Sequence, residues 1–108
     1  MRVWLDDKRA APDGWHRCTR PGQVIELLKQ GGVTEVSLDN DLGIRGKSGS
    51  YSDGPSGYDV LAWIEQKVFT DPTWSPPKLD VHSFNPVARG NMQAAMAAIR
   101  RHLDAREE

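Results

Sequence analysis

The sequence predicts a single three-layer α/β domain built on a mainly parallel sheet of about four strands. Three observations lead there. Short apolar runs, Val3-Trp4-Leu5, Val36-Ser37-Leu38 and Leu79-Asp80-Val81, each stop abruptly on polar residues, as buried strands do. Stretches with apolar residues at helical spacing follow the later runs. Strand-like and helix-like segments alternate over 108 residues, which is the order of right-handed crossover units rather than of hairpins.

The elements follow in order. Arg2 to Leu5 reads as a short buried strand closed by charge at Asp6, and Lys8 to Gly14, which contains Pro12, reads as loop. His16 to Thr19 is a second, short strand. Thr19 then caps a helix with Pro21 in its first turn, which turns Val24, Ile25, Leu27 and Leu28 inward and is stopped by Gly31-Gly32. Glu35 to Leu38 is the next strand. The stretch 43–57 holds five glycines and four serines, a composition that cannot pack a core, so a flexible loop is expected there. Ser56 and Asp59 have capping-box spacing for a helix through Val60, Leu61, Ile64 and Val68. Asp71-Pro72 and Pro76-Pro77 bracket a loop, and Leu79 to Ser83 is the last strand. Asn85-Pro86 opens a final helix with Met92, Ala95, Met96, Ile99 and Leu103 along one face.

Composition narrows the functional classes. With 14 Lys and Arg against 15 Asp and Glu, the chain lacks the positive surplus that duplex DNA or anionic membrane demands. Cys18 is the sole cysteine, which excludes an intramolecular disulfide framework and a multi-cysteine zinc site. No apolar run reaches the roughly 18 residues that span a bilayer, and the first residues lack a secretory signal. A soluble cytoplasmic protein, one domain over 1–108, is the expectation.

Chemistry concentrates where strands end, the edge at which open α/β sheets bind ligands. Asp6 and Asp7 follow the first strand, and Asp39 and Asp41 follow the third. Adjacent carboxylates repel unless a cation or donors compensate. A divalent ion, Mg²⁺ or Mn²⁺, is the natural partner, because it takes one or two carboxylates and leaves room for water and phosphate. Asp6, Asp7 and Asp39 are therefore the expected metal ligands, with Asp39 either a ligand or a nucleophile. Asp41 faces the same cleft or caps a turn. His82 is either a hydrogen-bonded core histidine or a general acid at the cleft, work suited to a group titrating near neutrality. Ser83 can donate to a phosphoryl oxygen. Asn85 caps the last helix or contacts phosphate at its start, and Arg89 points back toward the same anion or is a surface charge. Arg45 and Lys47 lie in the glycine-rich loop. Trp4 belongs to a core strand and Trp63 to a helix, whereas Trp15 and Trp74 fall in loops.

The acidic pair after Leu5, the aspartate after Leu38 and the serine after His82 resemble the response-regulator receiver domain, a flavodoxin-like fold. In that fold an acidic pair follows strand one, a phosphoacceptor aspartate ends strand three and a Ser or Thr ends strand four. The longer pattern Ser37-Leu38-Asp39-Asn40-Asp41-Leu42-Gly43, Gly57-Tyr58-Asp59-Val60-Leu61 and Val81-His82-Ser83-Phe84-Asn85-Pro86 resembles a narrower branch, the cyclic-phosphate processing receiver domains. Two departures from an ordinary receiver are expected: no room for a full first helix, and no fifth strand with its lysine. The resemblance implies processing of a cyclic phosphate on a nucleotide or RNA end, in the manner of a metal-dependent phosphoesterase. A phosphate-binding module without turnover, one that engages a partner protein, and an atypical phosphoacceptor are the alternatives.

Overall fold

In a computed structural model of the protein, the described residues are 1–39, 57–82 and 86–106. The elements run β1 (Arg2–Leu5), β2 (Trp15–Cys18), α1 (Pro21–Gln30), β3 (Glu35–Leu38), α2 (Gly57–Thr70), β4 (Lys78–Val81) and α3 (Pro86–Arg106). Among the described residues all strand pairings are parallel, in the order β2-β1-β3-β4. The expected α/β sheet of four strands is thus present, and β1 and β2 are joined by residues 6–14 without a helix.

Alternation along the strands sorts the side chains onto two faces. Val3, Leu5, Val36 and Leu38 point to one face and are fully buried there. Val24 and Leu28 of α1, Val60, Leu61, Ile64 and Val68 of α2, and Met92 and Ile99 of α3 complete the same cluster. Consecutive right-handed crossovers that step in one direction across a sheet bring their helices to one side. The opposite face carries Trp15 and Arg17 of β2, Arg2 and Trp4 of β1, Glu35 and Ser37 of β3, and Lys78 and Asp80 of β4, as the pairing register requires.

Local chemistry moves some boundaries. The cap of α1 is Arg20 rather than Thr19: the Gln23 side chain accepts from the backbone N–H of Arg20 at 3.0 Å and of Thr19 at 2.8 Å, so three residues share one capping device. The helix stops where Gly31 and Gly32 take φ near +90°, at 89° and 87°, a region costly for other residues. Trp15, expected in a loop, opens β2 instead, with the Arg2 guanidinium 5.3 Å from its ring centre. At the other end of the molecule Arg106 donates to the carbonyls of Trp74 and Asp71 at 2.6 and 2.7 Å, and to that of Val68. It thereby ties the end of α3 to the end of α2 and the loop after it. Within the described residues, no helix is long and apolar enough to cross a membrane.

Candidate functional site

The site is built by register. Leu5, Leu38 and Val81 stand side by side on β1, β3 and β4, so the next residue of each strand is Asp6, Asp39 and His82. Backbone bonds carry the ladder one step further, from Asp39 N–H to the Leu5 carbonyl at 3.1 Å and from His82 N–H to the Leu38 carbonyl at 2.9 Å. Neighbours in a parallel ladder point to the same face, and this step lies on the polar one. One ligand atom from each of Asp6, Asp39 and His82 falls within 4.8 Å of the others. The order of the sheet reverses between β1 and β3, the crevice where α/β proteins bind their ligands.

Each side chain is held from a different direction. Asp6 is fully buried, and its Oδ1 accepts the N–H groups of Lys8 and Arg9 at 2.8 and 3.0 Å. These bonds start the turn out of β1 and aim Oδ2 at the site. Burial alone raises the Asp6 carboxyl. The backbone N–H groups of Arg9 and Lys8 outweigh it, with the Arg9 guanidinium and His82 adding to their pull, and the group stays below its ordinary value as a carboxylate. Asp39 is 4 % exposed.

His82 is fixed on two sides. Its Nδ1 lies 2.7 Å from Ser37 Oγ, and its ring stacks on Trp4 at 3.8 Å between centroids and 8° between planes. Burial pushes the imidazole below its ordinary value and Asp6 offsets only part of that. Its Nε2 lies 3.3 Å from Asp6 Oδ2, yet both atoms are buried and neither has a hydrogen-bond partner. Buried polar atoms are nearly always paired, and two orphans facing each other beside a second carboxylate fit a cation that would join them.

The family model for the cyclic-phosphate processing receiver domain matches residues 1–98. The chain belongs to that family. No curated protein and no solved structure matches it.

In this receiver domain the expected ligands divide. Asp6 and Asp39 meet, and His82 joins them. Asp7 is half-buried with its Oδ1 unpartnered but stands outside the group. Arg89 is exposed in the first turn of α3. Asp41, Ser83 and Asn85, like Arg45, Lys47 and the Ser56 cap, lie outside the described residues. Cys18 is buried, which pushes its thiol up and leaves it inert as a nucleophile. Two supporting residues, Ser37 and Trp4, escaped the sequence reading. The available signal was strand alternation: each sits two residues before an acid of the site, and therefore on the same face.

An open cavity of about 680 Å³ between β2 and α1 is lined by His16, Arg17, Arg20, Gln23 and Glu26 among others, and none of Asp6, Asp39 and His82 lines it. Arg17 links the cavity to the site, since its Nε donates to the Asp6 carbonyl at 3.1 Å.

Proposed function

We propose that this receiver domain is a divalent-metal-dependent phosphoesterase that opens a cyclic phosphate on a nucleotide or an RNA end. The observation that carries the reading is the convergence of two buried carboxylates and an imidazole, with two of their polar atoms unpartnered. Membership in a family described as cyclic-phosphate processing supplies the substrate class.

A divalent ion such as Mg²⁺ or Mn²⁺ supplies Lewis acidity toward a phosphoryl oxygen when bound. The chain's own residues do the rest. Asp6 and Asp39 present oxygens already stripped of water, so little reorganisation is needed when charge develops at phosphorus. Asp39 either attacks phosphorus or orients the attacking water, with Asp41 as a further catalytic group, and Ser83, Asn85 and Arg89 are assigned to contacts with the substrate and its phosphate. The cavity between β2 and α1 has the size of a small-molecule site. Arg17 and Arg20 give its rim positive charge for an anionic ligand.

The test is release of the ring-opened product from a panel of 2′,3′-cyclic, 3′,5′-cyclic and cyclic-dinucleotide substrates, with and without divalent ions. Turnover that needs the ion is expected for at least one class. Tight binding without turnover across the panel would identify a phosphate-binding module instead. Stable labelling of Asp39 by acetyl phosphate would identify a phosphoacceptor.

A further inference from the structure

The carboxylate cluster raises a question the family resemblance does not answer, namely why an imidazole stands in it. Mg²⁺ takes oxygen ligands almost exclusively, whereas imidazole nitrogen suits first-row transition ions. We propose that His82 is a metal ligand through Nε2, and that Asp6, Asp39 and His82 form an O,O,N site for a first-row transition dication such as Mn²⁺, Fe²⁺ or Zn²⁺, in preference to Mg²⁺. The inference rests on the metal-site part of the functional reading and is independent of the substrate.

Four observations support it. First, two donors each ~2.1 Å from one ion are about 3.0 Å apart at an octahedral angle and about 3.4 Å apart at a tetrahedral one; His82 Nε2 and Asp6 Oδ2 are 3.3 Å apart. The pair already has the spacing of two ligands on a shared ion.

Second, the hydrogen bonds around the site leave one atom each of Asp6 and His82 unpartnered. Ser37 Oγ occupies Nδ1, and the backbone of Lys8 and Arg9 occupies Oδ1 of Asp6. What remain are Nε2 and Oδ2, both buried and unpartnered. A histidine held at one nitrogen with the other aimed at the metal is the usual arrangement of a ligating imidazole. In the tautomer whose Nδ1–H donates to Ser37 Oγ, Nε2 presents a lone pair toward the carboxylates, a convergence that a metal cation makes favourable.

Third, the ring is pre-positioned. Trp4 stacks flat on it and is itself braced edge-on by Trp15 at 5.9 Å, so the imidazole cannot swing out of the site without breaking the Trp4 stack and the Ser37 hydrogen bond. Fourth, Arg9 has its Nε 3.6 Å from Asp6 Oδ2 and its side chain 39 % exposed. It lies beyond hydrogen-bond distance and does not satisfy the oxygen.

The test uses the full chain stripped of metal. On the wild type, pulsed electron paramagnetic resonance of the Mn²⁺ form should detect a directly bound imidazole nitrogen, and Co²⁺ should develop visible d–d absorption. Calorimetric titration should give Mn²⁺ and Co²⁺ affinities at least about tenfold above that of Mg²⁺. In His82→Ala, or in His82→Gln if the first variant does not fold, the Mn²⁺ and Co²⁺ affinities should fall by about 10-fold or more while Mg²⁺ binding stays nearly constant. Ser37→Ala, which removes only the support at Nδ1, should cost roughly 10- to 100-fold in Co²⁺ affinity. Absence of nitrogen coupling on bound Mn²⁺, or unchanged Mn²⁺ affinity in a folded His82 variant, overturns the proposal. The full metal signature without turnover of any cyclic phosphate supports the site and sinks only the phosphoesterase reading.

Discussion

Asp39 and His82 carry the most chemical weight, and each gives a separate test. Asp39→Asn keeps the shape of a buried side chain and removes its charge. Turnover should drop to background while, in chelator, the circular dichroism spectrum and unfolding midpoint stay near those of the wild type; near-normal turnover would remove Asp39 from its assigned role. For His82 the readout is stability against pH, measured in chelator so that no ion intervenes. Its folded-state value lies below the ordinary 6.5, so between the two values the unfolded chain binds more protons than the folded one. The stabilising contribution is complete above pH 6.5 and is lost as pH falls toward the lowered folded value. Asp6, also held below its ordinary 3.8, follows the same sign: its contribution is intact above 3.8 and is lost only on further acidification. A melting curve should therefore show a loss of stability starting near pH 6.5 in the wild type, and His82→Gln should flatten that step. An equal step in the variant would show that His82 is not its source.

At the scale of elements, the site depends on how α2 meets the end of β3. A methyl group at Gly57 would lie 2.5 Å from the Asp39 carbonyl oxygen and 3.0 Å from Met92 Cε. Backbone cannot yield as a flexible side chain does, so this position needs glycine for close approach rather than for a special φ. Gly57→Ala should destabilise the fold by roughly 1–3 kcal/mol, the usual cost of overpacking, and should weaken metal binding because Asp39 moves with its backbone. A denaturant titration paired with a metal titration reads both effects, and a variant unchanged in both would refute the coupling. Most of the elements themselves were legible. The apolar stripe expected for α2 is the buried set Val60, Leu61, Ile64 and Val68, because a helix that must cover a sheet shows its period in sequence. The short β2 was harder to place: with four residues and two of them exposed, it offers little periodicity, and its observed start at Trp15 depends on pairing with Arg2.

For the whole molecule, one consequence follows from placing acids at a shared sheet edge. The protein holds two buried carboxylates side by side, so a dication bound there would stabilise the folded state by mass action. At an ion concentration about a hundred times Kd the gain is about 2.7 kcal/mol, which for a domain near 100 residues raises Tm by roughly 10–20 °C. Asp39→Asn should lose most of that shift, and a wild-type Tm indifferent to every divalent ion tried would refute metal binding at this edge. The polar face of the sheet belongs to the same scale. Among the described residues, all three helices contribute to the core on the opposite side, and Trp15, Trp4 and His82 run across the polar face toward the acids.

By itself the sequence determined the α/β class, the strand ends as the place of chemistry, and Asp6, Asp39 and His82 as residues of interest. These are local properties, since strand period, helix period and polar stops are written in consecutive residues. The pairing register decided which of them meet. Aligning Leu5 with Leu38 and Val81 brings together residues 33 and more positions apart and puts His82 among carboxylates, with Asp7 outside the group. Sequence spacing carries no information about that alignment, because register is set by packing across strands. Tertiary structure also supplied Ser37 and Trp4, whose contacts with one imidazole turn an ambiguous histidine into a positioned donor.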